Sequence, residues 1–176
     1  MTPPCLSKAY YNEIDLHCVA WLRNLIAARL IAAGDVDDRS IKDVTPADLK
    51  GYTQCHFFAG IGLWSHALRL AGWSDSRPVW TGSCPCQPYS TAGKGLGDAD
   101  PRNLWPELYR LIRIGRPERV FGEQVASAIG KGWLDGVSSD LEAEGYACGA
   151  TVLGAHSVNA PHVRRRLYWM AVGHYQ

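Results

Sequence analysis

The 176 residues contain no apolar run approaching the roughly 20 that span a bilayer, and no signal-peptide pattern. Membrane-embedded and secreted classes are therefore not expected, and a cytoplasmic location is. The six cysteines fall at irregular spacing, which favours free thiols in a reducing compartment over a disulfide framework. No second pair complements Cys84-x-Cys86, so no metal site is expected. Internal repeats and low-complexity segments are also absent. A net charge of +1 gives no overall pull toward nucleic acid, so any such binding must come from a local patch. The tail supplies one: from Thr151 onward there is no acidic residue, but there are Arg164, Arg165, Arg166 and three histidines.

What is present suits one compact domain over 1–176, with 47% hydrophobic residues available for a single core. Strand-like and helix-like stretches alternate, which predicts an α/β fold. A short strand is expected over 9–14. A helix over 18–33 follows from Val19, Leu22, Leu25, Ile26 and Leu30, with Gly34-Asp35 closing it. Ser40 to Val44 reads as extended, and Thr45-Pro46-Ala47-Asp48 as a helical turn. Strands are expected over 54–58, 78–82, 119–121, 147–153 and 167–172, and helices over 63–71, 104–114 and 133–144.

Four loops past expected strand ends carry candidate chemistry, at the edge where an open α/β sheet binds ligands. The stretch CPCQPYS is either a buried cysteine pair beside a turn or a loop presenting the Cys86 thiolate. FFAGIG is either a tight strand-to-helix turn or a glycine turn that lets a ligand approach the backbone. No suitable acidic partner for ribose hydroxyls follows it about 20 residues on. GEQV places Glu123 either on solvated surface or beside the thiol as an acid. APHVRRRLYW sets Arg164 and Arg166 on one side of an extended segment, as a solvated basic run or a holder of phosphate or a base.

Together and in order, these stretches resemble the DNA cytosine-5 methyltransferases. The FxGxG motif is Phe58-Ala59-Gly60-Ile61-Gly62, the nucleophile loop Pro85-Cys86-Gln87 with Ser90, and the Glu-Asn-Val motif Glu123-Gln124-Val125. The Pro-Gln-x-Arg-x-Arg motif is Pro161-His162-Val163-Arg164-Arg165-Arg166. Tyr11-Asn12-Glu13-Ile14-Asp15 and Gly34-Asp35-Val36 look like the family's second and third motifs, which normally follow FxGxG but precede it here. The resemblance thus implies a circular permutation, with the strand carrying Glu13 still beside the strand ending at Phe58. It covers Tyr10 to Val172 and includes no target-recognition segment.

The resemblance implies a Rossmann-like S-adenosylmethionine-dependent fold, a mostly parallel sheet with helices on both faces. It implies methyl transfer from S-adenosylmethionine to carbon 5 of cytosine in double-stranded DNA, of restriction-modification or phage type. Catalytic roles fall to Cys86, Glu123, Arg164 and Arg166. Cofactor roles fall to Phe58, Ala59, Gly60, Ile61, Gly62, Leu63, Glu13, Ile14, Asp35, Asp43 and Pro85. Substrate contacts fall to Gln87, Ser90, Gln124 and His162. Two of these depart from the motif, Gln124 replacing asparagine and His162 replacing glutamine. The competing expectations are an RNA cytosine-5 methyltransferase, and a catalytically silent or partner-dependent subunit in which a second chain supplies target recognition.

Overall fold

The computed structural model describes residues 8–85 and 103–173, so Cys86, Gln87 and Ser90 lie outside the described residues. Two compact units divide between Thr81 and Gly82. Among the described residues they hold seven strands and four α-helices. None of these helices is long and apolar enough to cross a membrane.

The first unit contains β1 (Ala9–Asn12), α1 (Leu16–Ala27), β2 (Gly34–Asp37), β3 (Gln54–Phe57), α2 (Leu63–Leu70) and β4 (Val79–Gly82). β1 lies between β2 and β3 and is parallel to both. Every residue of β1, β3 and β4 is buried, as expected where parallel strands are covered on both faces. Polar side chains in these strands satisfy one another: His56 stacks on Tyr11 and bonds Thr81 and Gln54 through its two ring nitrogens. Burial holds that imidazole neutral, its pKa lowered to about 3.

α1 begins where Asp15 accepts the Cys18 N–H at 2.9 Å, and it buries Val19 and Leu22. The helix expected over 18–33 ends at Ala27, followed by Arg29 in the left-handed region at φ 59°. Gly34 does not close that helix; it opens β2. A Cβ there would sit 1.8 Å from the Ala9 carbonyl oxygen, so glycine is what allows β2 to pack on β1. The extended piece expected over 40–44 is instead a short 3-10 turn, Ile41–Asp43, capped by Ser40.

The second unit contains α3 (Trp105–Gly115), β5 (Arg119–Val125), α4 (Trp133–Ala143), β6 (Tyr146–Gly154) and β7 (Arg165–Gly173). β7 runs antiparallel between β5 and β6. Trp105, Trp133 and Trp169 are buried and meet edge to face at 5.8–6.4 Å. The Trp105 indole N–H donates to Asp140 at 2.7 Å, which ties α3 to α4. Glu123-Gln124-Val125, expected as a loop after a three-residue strand, continues β5. Gly122 does not break that strand; a Cβ there would lie 2.2 Å from the Trp169 ring, so the indole fills the space a side chain would take.

Candidate active site

The glycine turn of the first unit is built by three left-handed residues within five: Phe58 at φ 52°, Gly60 at 53° and Gly62 at 80°. Phe58 pays a steric penalty of roughly 1–3 kcal/mol for that conformation, which persists only where neighbours enforce it. Here they do. The Ala59 N–H donates to the Asn12 carbonyl at 3.0 Å, and the Gly62 N–H to the Ala59 carbonyl at 2.9 Å. Glu13, directly after β1, accepts the Gly60 N–H at 2.7 Å through one carboxylate oxygen and the Asp15 N–H at 2.9 Å through the other. The space beside Gly60 is open, with nothing within 4 Å of where its Cβ would stand. Ile14, Ile61 and Leu63 around this turn remain 65%, 46% and 64% exposed.

The adjacency of the Glu13 strand to the FxGxG strand, required by the permuted motif order, is therefore present, with Asn12 registered against Phe57. The carboxylates of the β2 region are unequal. Asp35 is registered against Tyr10, short of the strand ends, and bonds Lys8 and Tyr52. Lys8 first, then Tyr52, holds its carboxyl below the usual range. Asp37, at the end of β2, accepts from the Tyr10 hydroxyl at 2.6 Å and from the Arg39 guanidinium at 2.6–3.1 Å. Asp38 and Asp43 are exposed just beyond. The position of Asp37 at this edge, and the buried Asn12 that holds the Arg39 carbonyl at 2.8 Å, carry no signal in the linear sequence.

In the second unit, Glu123 and Arg166 face each other diagonally across β5 and β7, since Glu123 is registered against Tyr168 and Val125 against Arg166. The Arg166 Nε reaches the Glu123 carboxylate at 2.5 Å. Burial pushes the Glu123 carboxyl up, and Arg166 and Arg164 only partly offset it. Arg164 and His162 are exposed in the approach to β7, where the Arg164 N–H donates to the His162 ring at 3.4 Å. Gln124 is buried, 1% exposed, and its amide N–H donates to the Cys84 carbonyl at 3.4 Å. Its side chain therefore faces Cys84 and not solvent. Cys84 itself is buried, with its thiol pushed up to about 12 by desolvation, which disfavours its thiolate. Pro85 is half-buried at the end of the described segment. Among the described residues no cluster of three or more His, Cys, Asp or Glu suits a metal ion.

This arrangement of an acid after β1, a glycine turn after β3 and a carboxylate–arginine pair on β5 and β7 can be compared with known proteins. The profile of the C-5 cytosine-specific DNA methylases matches residues 75–176. The chain belongs to that family. Relatives include the type II methyltransferase M.HgiCII of Herpetosiphon aurantiacus, 32% identical over 52% of this chain and 22% of its own length. M.BanI of Aneurinibacillus aneurinilyticus is 35% identical over 50% of this chain and 22% of its own. M.NaeI of Lentzea aerocolonigenes is 24% identical over 91% of this chain and 33% of its own. The chain thus spans a third or less of the length of these relatives. Among solved structures, the S. pombe Dnmt2 methyltransferase superposes with a TM-score of 0.57 at 15% identity, covering 97% of this chain and 52% of that one. The Entamoeba histolytica methyltransferase EhMeth gives 0.55 at 16%, covering 94% and 53%. These likenesses show that the C-5 methylase chain has the α/β, Rossmann-like methyltransferase fold.

Proposed function

We propose that this chain carries the catalytic core of a DNA cytosine-5 methyltransferase that uses S-adenosylmethionine. The observation that carries the reading is the Glu123–Arg166 pair, in which a carboxyl raised by burial is held in a fixed orientation by one guanidinium. S-adenosylmethionine, when bound, supplies the electrophilic methyl group. The residues present fit it: an acid for ribose hydroxyls sits against an open glycine turn flanked by exposed apolar side chains. Glu13 would hold the ribose, Phe58 and Ile14 the adenine faces, and the backbone from Gly60 to Leu63 the methionine carboxylate, with Ala59 shaping the turn; Pro85 keeps the cofactor role that the resemblance implies. Asp35 is occupied by Lys8 and Tyr52, so we assign the adenine amino group to Asp43.

On the substrate, the Cys86 thiolate adds to carbon 6 of cytosine while Glu123 gives a proton or hydrogen bond to N3. The electron pair displaced onto carbon 5 would take the methyl group as its bond to the sulfonium sulfur breaks, leaving S-adenosylhomocysteine. Removal of the proton on carbon 5 by a base then expels Cys86, breaking the bond to carbon 6. Carbons 5 and 6 are covered by stacking in a duplex, so the base must leave the stack, at a cost of a few kcal/mol. Arg166 orients Glu123 and meets the cytosine O2, and Arg164 holds the nucleotide. Gln87, Ser90 and His162 fall to substrate contacts, and Gln124 to anchoring the loop base. Target recognition from a second chain, and location in the cytoplasm, belong to the same proposal.

The test is transfer of an isotopically labelled methyl group into duplex DNA and into a structured RNA, with nucleosides resolved by mass spectrometry. The expected outcome is labelled 5-methylcytosine in the DNA digest. Label confined to RNA would reassign the substrate, and none in either, with S-adenosylhomocysteine bound, would make the chain a silent subunit.

A further inference from the structure

A buried ring of hydrogen bonds lies behind the glycine turn and belongs to none of the roles above. The Ala32 N–H donates to the Ser65 hydroxyl oxygen at 3.1 Å, and the Tyr11 hydroxyl donates to the Ala32 carbonyl at 2.7 Å. With the Tyr11 proton committed to that carbonyl, the 3.0 Å contact between the two hydroxyls leaves Ser65 as donor to Tyr11. The three bonds close a cycle in which every polar group is satisfied. Tyr11, Ala32 and Ser65 are 0%, 2% and 1% exposed. They come from β1, from the segment entering β2, and from the first turn of α2, with Tyr11 and Ser65 54 residues apart in sequence.

We infer that Ser65 and Tyr11 are positioning residues for the cofactor turn. The turn strings three left-handed residues together and opens directly into α2 at Leu63, with no side chain capping that helix. Such a backbone keeps its shape only if both ends are held. Glu13 and the Asn12 carbonyl hold the upstream end through Gly60 and Ala59. The ring holds the downstream end, because Ser65 lies three residues after Gly62 and cannot rotate without breaking two buried bonds. Asn12 and Glu13 directly follow Tyr11 in sequence, so β1 carries both restraints, and the N–H groups from Gly60 to Leu63 are fixed before any ligand arrives. Preorganisation of this kind appears as affinity for the ligand.

This inference rests on the cofactor assignment made above. The test is the dissociation constant of S-adenosylhomocysteine by titration calorimetry, at a temperature well below unfolding, for Ser65→Ala, Tyr11→Phe, the double variant and Leu49→Ala. Leu49 is a buried residue of the same unit outside the ring, so its variant loses stability without touching the turn. Each ring variant is expected to bind about tenfold more weakly, and the double variant no worse than about the same tenfold, since breaking the cycle once releases it. Leu49→Ala is expected to stay within about twofold of wild type while its melting temperature falls. Amide exchange at Leu63 and Trp64 in the unliganded protein is expected to speed up only in the ring variants, and Ser65→Ala alone suffices if Tyr11→Phe does not fold. Unchanged affinity in folded Ser65→Ala, or a loss matched by Leu49→Ala, overturns the inference while leaving the cofactor assignment standing. A wild-type protein that does not bind S-adenosylhomocysteine overturns both.

Discussion

Two carboxylates of this chain each bond an arginine, and their surroundings shift them in opposite directions. At the end of β2, burial alone would raise Asp37, but the Arg39 side chain, the Tyr10 hydroxyl and the Arg39 N–H outweigh it and bring the carboxyl down to about 2. On β5, burial raises Glu123, and Arg166 with the more distant Arg164 does not cancel it. The difference is one of donor count. Asp37 receives the Nε–Nη2 edge of a guanidinium, a backbone N–H and a phenol, whereas among the described residues Glu123 is met by the Arg166 guanidinium. Asp37 is therefore a fixed anion that holds the end of β2 together, whereas burial shifts Glu123 toward its neutral form. An arginine beside a carboxylate does not by itself say which role the pair has.

The comparison breaks most readily at Glu123. Glu123→Gln keeps the shape and removes the transferable proton, so single-turnover methyl transfer to duplex DNA should fall about 10²–10⁴-fold, with S-adenosylhomocysteine affinity unchanged. A smaller effect is expected from Arg166→Met. The lost cation lets burial raise Glu123 further, so the protonated form persists to higher pH. The pH–rate profile should then lose roughly 10–100-fold in height while its alkaline limb moves to higher pH. A limb that stays in place would mean that Glu123 is not the titrating group.

Arg39→Met should leave that limb untouched and act on stability instead. Wild-type Asp37 is depressed in the folded state, so its contribution is present above its unfolded pKa near 4 and lost as pH falls toward 2. The variant should be less stable by about 1 kcal/mol in urea unfolding at neutral pH, and should lose less than wild type between about pH 4 and pH 2. Equal acid sensitivity in the two proteins would show that the pair does not set the pKa of Asp37.

Much of this arrangement was legible in the linear sequence, and the parts that were not share a physical cause. The turn after β3, the helix from Leu63 and the strand before Cys84 all follow from hydrophobic periodicity and local turn chemistry. The motif order placed Glu13 beside the glycine turn although 47 residues separate it from Gly60. Gly34 and Gly122, by contrast, read as breaks and are not. One admits the Ala9 carbonyl and the other the Trp169 indole, so each is glycine because of a neighbour distant in sequence. For the same reason Asp35 and Asp37 could not be ranked before the register of β1 and β2 was known. The burial of Gln124 is not given by its position in the motif, and the Tyr11–Ala32–Ser65 ring joins residues of ordinary type that no local pattern connects.

The most direct test of cytosine-5 methyl transfer is covalent trapping on duplex DNA carrying 5-fluorocytosine, because fluorine on carbon 5 blocks the elimination that would release the enzyme. With S-adenosylmethionine present, wild type and Cys84→Ala should both run as a protein–DNA adduct on a denaturing gel, and Cys86→Ser should not. An adduct that survives Cys86→Ser, or the absence of any adduct from protein that binds S-adenosylhomocysteine and DNA, would contradict the account.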